Sequence, residues 1–157
     1  MMTTQPKLMT AEEFWELYGS SDEDVELIRG EIVKRPVPGI KHGAVARRLS
    51  AKLGEFVDAH ELGDVLVETD FRLTSDSVVR PDVAFVSRAK LQTLADTDQV
   101  APFVPDLAIE VISPGNSAFE IEQKIKLFIM SGTPMVWIVY PNLQEVIIHY
   151  PDRTSRT

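Results

Sequence analysis

Cysteine is absent from the 157-residue chain, which excludes disulfides and thiolate metal sites. Long apolar runs are missing as well. The most hydrophobic stretches, LAIEVIS and MVWIVY, fall far short of the ~20 residues that a membrane-spanning helix needs. The N-terminal MMTTQPKLMT has no basic region followed by an apolar stretch, so no signal peptide is expected. These absences predict a soluble, cytoplasmic protein with no membrane partner. A basic footprint is lacking too: 16 Lys and Arg stand against 24 Asp and Glu, for a net charge of −8. That balance argues against tight, sequence-tolerant binding of nucleic acid over the whole surface. It leaves room for a nuclease, because a bound divalent cation adds positive charge at its own site. Neither an internal repeat nor a low-complexity tract occurs.

What is present is an ordinary globular composition, 44% hydrophobic and 25% charged, in a length that suits one domain over residues 1–157. Thr10 opens a capping box with Glu13, which predicts a helix from Ala11 to Tyr18. VELIRGEIVKR reads as two strands around a tight turn at Arg29-Gly30. After the breakers Pro36, Pro38 and Gly39, apolar residues at Ala44, Val45, Leu49, Leu53, Phe56 and Val57 predict a helix over Lys41 to His60. VLVETDFRL and VVRPDVAFV follow as two strands. A short helix is expected over Arg88 to Leu94, and ADTDQVAPFVPD as a loop. DLAIEVIS is a buried strand stopped by Pro114-Gly115. Ser117 and Glu120 then form a second capping box for a helix that runs to about Ser131. PMVWIVY and EVIIHY are the last two strands, around Pro141-Asn142, with PDRTSRT as the tail. Alternating strands and helices, with several strands apolar on both faces, predict an α/β (α+β) fold in which helices flank a mixed β-sheet.

Two strands carry an acid where a core residue is expected. Asp82 shares a face with Ala84 and Val86, and Glu110 shares one with Ala108 and Ile112. Buried carboxylates are costly unless paired, hydrogen-bonded or bound to a cation, and two of them in neighbouring strands suggest oxygen ligands for a hard cation. From Glu110 the strand advances roughly 10 Å to Ser113, and the following helix returns roughly 10 Å from Ser117 to Lys124. A helix packed antiparallel to that strand therefore sets Lys124 level with Glu110. Lys126 is the competitor, but it falls among Glu122, Gln123 and Met130, a wetter face than that of Ile121, Leu127 and Phe128.

Plainer readings stand beside these. Asp82 alone equally suits an acceptor for backbone donors after Pro81, and Glu110 with Lys124 suits a structural ion pair. Glu26 alternates with Val25 and Leu27, as on an exposed strand face. His42 fits a helix start or a core position. His60 and His149 read as surface residues, and Trp15 and Trp137 as core.

Asp82 after Pro81, then the strand acid Glu110, then a lysine, resembles the PD-(D/E)XK nuclease signature. The common form places its lysine two residues after the acid, where this chain has Ile112; some members carry it on the following helix, as Lys124 would be. ELIRGEIV, the Lys41-His42-Gly43 segment, RPDVAFVS, DLAIEVISP and KIKLF…SGTPMVWIVYP together resemble a family of small restriction-endonuclease-like proteins long catalogued as a domain of unknown function. The resemblance runs from about Thr10 to Pro151. It implies a restriction-endonuclease-like fold, Mg²⁺ dependence with Mn²⁺ as a substitute, DNA as partner, and often a homodimer. It marks Glu26, His42, Asp82, Glu110 and Lys124 as the site. The implied mechanism is metal-assisted phosphodiester hydrolysis, with Asp82, Glu110 and the Val111 carbonyl as metal ligands and Lys124 positioning water or neutralising charge. In it Glu26 completes a second metal site or orients water, and His42 contacts phosphate or transfers a proton. Tyr140 departs from the family, which often has an acid before the proline. Family members also usually continue past the last strand, so a chain shortened at its C-terminus is expected. The alternatives to a nuclease are a non-catalytic nucleic-acid-binding or regulatory module on the same fold, and a hydrolase of another phosphodiester or nucleotide.

Overall fold

A computed structural model of the chain describes residues 8–95 and 99–157, so part of the predicted ADTDQVAPFVPD loop lies outside the described residues. The chain opens with α1 (Ala11–Tyr18), capped by Thr10 and Glu13 as their spacing predicts. The hairpin of β1 (Val25–Ile28) and β2 (Glu31–Lys34) follows. Its two turn residues, Arg29 and Gly30, have φ of 51° and 80°. That pair of left-handed conformations matches the twist of a two-residue hairpin. Helix α2 spans Ile40–Ala59. Next come β3 (Gly63–Val67), β4 (Phe71–Thr74), β5 (Ser77–Val79), β6 (Val83–Ser87) and the single-turn α3 (Arg88–Leu91). Strand β7 (Leu107–Val111), α4 (Ala118–Met130), β8 (Val136–Tyr140), β9 (Glu145–His149) and β10 (Ser155–Arg156) complete the chain.

The class is α+β as expected, but the strands divide into two sheets rather than one. The smaller has the order β2-β1-β5-β4 and the larger β10-β9-β8-β7-β6-β3. In the larger sheet only the β7–β8 pair is parallel, with α4 as its crossover. VLVETDFRL and VVRPDVAFV, each expected as one strand, break in the middle, and each feeds both sheets. The first leaves at Glu68, whose φ is 46°, and the second at Pro81, which has no N–H to offer a ladder. Arg80 ties the two breaks together through a bidentate pair with Asp70, at 3.0 and 2.7 Å. The predicted helix to Leu94 stops at Leu91, and the tail forms the short β10 against β9.

The larger sheet is covered on both faces. Val45, Ala46, Leu49 and Leu53 of α2 pack on Val83, Ile109 and Val111. On the opposite face, Ile125, Leu127 and Phe128 of α4 pack with Ala84, Ala108 and Ile138, together with Phe71 and Val79 of the small sheet. Alpha-helix α1 closes the other side of the small sheet through Phe14 against Val25 and Leu27. Phe56 departs from the predicted stripe: it is exposed and stacks on His60 at 4.2 Å. Trp137 joins the α2-side core, whereas Trp15 is only half-buried and lies outside the buried clusters. His60 is exposed as expected, and His149 is half-buried on β9. Among the described residues no helix is long and apolar enough to cross a membrane.

Candidate functional site

The line where the two sheets part opens into a cleft of about 320 Å³. Strands and helices of both sheets, and the loops between them, deliver side chains to it, and each of the five singled out in the sequence arrives for a local reason. Glu26 stands on β1 on the face opposite Val25 and Leu27. That face looks toward the junction, so the carboxylate is buried rather than on an exposed strand face. Its Oε1 accepts the Arg80 backbone N–H at 2.7 Å. Asp82 sits at the break before β6, where Pro81 has ended the preceding ladder. Glu110 points from β7 toward α4. His42 lies in the first turn of α2, on the stripe that continues through Ala46 and Leu49. Lys124 comes from α4, which starts at the Ser117 capping box and ends in a Schellman arrangement, with Thr133 N–H donating to Phe128 O at 3.0 Å past Gly132 at φ 102°.

Lys124 Nζ lies 2.7 Å from Glu110 Oε1 and 3.0 Å from Glu26 Oε1. The helix return thus brings its amine to the space that a lysine at position 112 would otherwise fill; Ile112 lines the cleft wall instead. Lys126 faces solvent and pairs with Glu122 at 3.3 Å. Asp82 Oδ2 accepts the Val111 N–H at 2.7 Å, so the carboxylate does serve a backbone donor. Its Oδ1 meets His42 Nε2 at 3.2 Å and an Arg35 guanidinium nitrogen at 3.3 Å. The other ring nitrogen of His42 is 3.0 Å from Ser113 Oγ. Tyr140 is half-buried at the end of β8, packed against the α4-side core.

Charge is out of balance here. Six carboxylates line the cleft (Asp24, Glu26, Glu68, Asp82, Glu110 and Glu120) against three full cations, Lys34, Arg35 and Lys124. Burial pushes the Glu110 carboxyl up to about 8, opposed by Lys124 and reinforced by repulsion from Asp82 and Glu26. Burial also holds Asp82 above the usual carboxylate range, against the pull of the Val111 N–H, His42, Lys124 and Arg35. Burial alone would lower Lys124, but Glu110 and Glu26 outweigh it and hold the ammonium above its ordinary value. Arg35 likewise has burial against it and Glu68, Glu26 and Asp24 for it, with the net shift upward.

A divalent cation can be tested against this donor set. Glu110 Oε1 is buried, and the Lys124 ammonium lies 2.7 Å from it. Carboxylate oxygens are the donors that a hard cation takes, and Asp82 and Glu26 supply neighbouring ones. Among the described residues no three His, Asp or Glu side chains already converge as metal ligands. The reason is visible: the ammonium stands between Glu26 and Glu110, and the guanidinium and imidazole engage Asp82. The chemistry of the donors fits a cation, and taking one up requires Lys124 or Arg35 to yield an oxygen.

Arg35, Ser113 and Asn116 escape the reading of the sequence. Arg35 bridges Asp82 to Glu68 (2.7 Å) and Asp24 (3.0 Å). Nothing in KRPVP marks it beyond a basic residue at a strand end. Asn116 Oδ1 accepts the Ser113 N–H at 2.8 Å and so fixes the turn that holds the Ser113 hydroxyl against His42. The SPGN segment signals a turn, but not that its serine faces a histidine.

No curated relative matches the chain closely enough to place it. Among solved structures, one from Anabaena variabilis ATCC 29413, described as a "putative nuclease belonging to DUF820", superposes with a TM-score of 0.84 at 22% identity. The match covers 94% of this chain and 83% of that one. At that identity the likeness establishes the fold. A family model described as "Putative restriction endonuclease" matches residues 11–157, nearly the whole sequence and every residue that lines the cleft. The chain belongs to that family, Uma2.

Proposed function

We propose that this protein is a Mg²⁺-dependent endonuclease that hydrolyses DNA phosphodiester bonds in the cleft between its two sheets. The observation that carries the reading is the gathering of three largely buried carboxylates, Glu26, Asp82 and Glu110, in one cleft with Lys124, which pairs with Glu110 and Glu26 at 2.7 and 3.0 Å. Family membership supports the same class of reaction. Asp82, Glu110 and the Val111 carbonyl would hold Mg²⁺, or Mn²⁺ in its place, which supplies positive charge to the phosphate and a more acidic bound water.

The side chains do the rest. A water oxygen forms a bond to phosphorus while a bridging P–O bond breaks, and the leaving oxygen takes up a proton. Lys124, freed from one of its two carboxylates, stabilises the charge that grows on the phosphate oxygens. Glu26, held by the Arg80 N–H, keeps that ammonium aimed into the cleft and orients water. His42 is set by Ser113 on one nitrogen and Asp82 on the other, a position suited to moving a proton near the scissile bond. The homodimer that the family resemblance implies is part of the proposal and is read by sedimentation.

Cleavage of supercoiled, linear and single-stranded DNA with Mg²⁺ or Mn²⁺, beside Asp82→Asn and Glu110→Gln, tests this reading. Loss of cleavage and of calorimetric metal binding in both variants is the expected result. Wild-type protein that neither cleaves nor binds the metal would favour the second reading, a nucleic-acid-binding module without catalysis. The occupied state of Asp82, with Arg35 and His42 both on Oδ1, is the observation on that side.

A further inference from the structure

The cleft is lined by more than its charges. Ile28, Val33, Ile112 and Ile121 form an apolar wall beside the carboxylates. Phe119, in the first turn of α4, lines the mouth while remaining 69% exposed. It packs in no core cluster, although two capping residues fix its helix start. Five residues separate it from Lys124, about 7 to 8 Å of helical rise and roughly 140° around the helix axis, and both side chains line the same cleft. Pro36 neighbours the Pro114–Asn116 turn at the cleft: a Cβ on Gly115 would make ordinary van der Waals contact with Pro36 Cβ, at 3.4 Å. The acids are recessed below the mouth, with Asp82 only 4% exposed.

We infer that the substrate enters as an unpaired nucleotide, with its base stacked on Phe119 against the apolar wall and its phosphate carried down to Lys124. The inference rests on the nuclease reading above and names its substrate class: single-stranded or locally unpaired DNA rather than an intact duplex. The volume, about 320 Å³, lies at the small-ligand end of binding sites and suits one splayed nucleotide. Charge points the same way. A duplex is gripped through many phosphates at once, which takes a basic stripe. Here net charge is −8, and two of the three full cations at the cleft are already engaged by carboxylates. Stacking on an exposed aromatic adds affinity for a base without sequence preference.

Fluorescence anisotropy with labelled oligothymidylate and with a matched duplex, in Ca²⁺, tests the inference. Wild type is expected to bind the single strand more tightly. Phe119→Ala is expected to weaken that binding roughly tenfold or more, the loss of one base stack, while Phe119→Trp retains it. Calorimetric Mg²⁺ binding and melting temperature should be unchanged in both, since the side chain is exposed and away from the carboxylates. Duplex bound as tightly as single strand, an unchanged affinity in Phe119→Ala, or no binding of either oligonucleotide would overturn the inference. So would a Phe119→Ala variant that dissociates a dimer in sedimentation while keeping its oligonucleotide affinity, which would assign the rim to a second copy of the chain. The nuclease reading fails by other measurements, namely absence of metal binding and of cleavage. Duplex cleavage lost in Asp82→Asn, with single strands spared, would sink only the substrate class.

Discussion

Lys124→Met asks whether one ammonium holds the cleft together. Methionine keeps an unbranched apolar stem and removes the charge that sits 2.7 Å from Glu110 and 3.0 Å from Glu26. Lys124 is 16% exposed and its two partners 13% and 4%, so water screens the loss poorly. Removing one member of a buried pair costs about 3–5 kcal/mol, because the other charge stays behind. In a chain of this size, that corresponds to a melting-temperature drop on the order of 10 °C. The variant should be melted in EDTA, so that no metal stands in for the lysine.

The pH dependence carries the sign. Glu110 has a folded value of about 8 against an ordinary 4.5, so between those values the folded state holds a proton that the unfolded state has released. Stability attributable to this group is therefore intact below about pH 4.5 and is lost as pH rises through 8. Without Lys124 the folded value climbs further, so the deficit of the variant should be largest above pH 8 and should shrink toward pH 5. Glu110→Gln in the same background removes the stranded charge and should recover most of the lost stability. Two results would refute the reasoning: a deficit that does not vary with pH, or a double variant equal to the sum of its singles within about 0.5 kcal/mol.

Asp82→Asn keeps an oxygen for the Val111 N–H and should melt close to wild type while losing Mg²⁺ binding by calorimetry; Asp82→Ala leaves that buried donor bare and should be less stable by a further 1–3 kcal/mol or about that. In a cleavage assay Lys124→Ala is expected to be far more damaging than Lys126→Ala, and thermal melts should place the exposed Lys126–Glu122 pair at no more than about 0.5 kcal/mol. Gly30→Ala forces a side chain onto φ 80° and brings a Cβ to 2.6 Å from Leu8 Cβ, so chemical denaturation should show a loss of about 1–2 kcal/mol or more, with the denaturant slope unchanged.

Local signals in the sequence were enough for the elements that cap or turn themselves. Thr10 with Glu13, Ser117 with Glu120, and Arg29-Gly30 all specify their own conformations within a few residues, and all three appear in the structure as expected. The arithmetic that set Lys124 level with Glu110 succeeded for a similar reason: a strand, a tight turn and a capped helix leave little freedom in the return. The division into two sheets was not legible. VLVETDFRL carries no proline or glycine to mark a break, and the left-handed backbone at Glu68 is imposed by its surroundings rather than by its residue type. The surroundings of Glu26 and Arg35 were hidden for another reason. Their partners lie far away in sequence, Lys124 98 residues from Glu26 and Asp82 47 from Arg35, so no window along the chain contains both halves of either contact.

That hidden division also explains why so many carboxylates can gather at one place. Turned toward a packed apolar layer, Glu26 or Asp82 would carry an uncompensated burial cost. At the junction the ladders are already broken by Glu68 and Pro81, and the interrupted strands leave backbone donors without strand partners. The Arg80 N–H goes to Glu26 and the Val111 N–H to Asp82. Each acid thus repairs a defect in the sheet while keeping one edge toward the cleft. The remaining negative charge exceeds what Lys34, Arg35 and Lys124 neutralise. On the proposed function, Lys124 and a divalent cation would compete for the same oxygens, and an ammonium displaced from Glu110 would stay tethered beside Glu26. That competition would couple metal uptake to the placement of the group that stabilises charge on the phosphate.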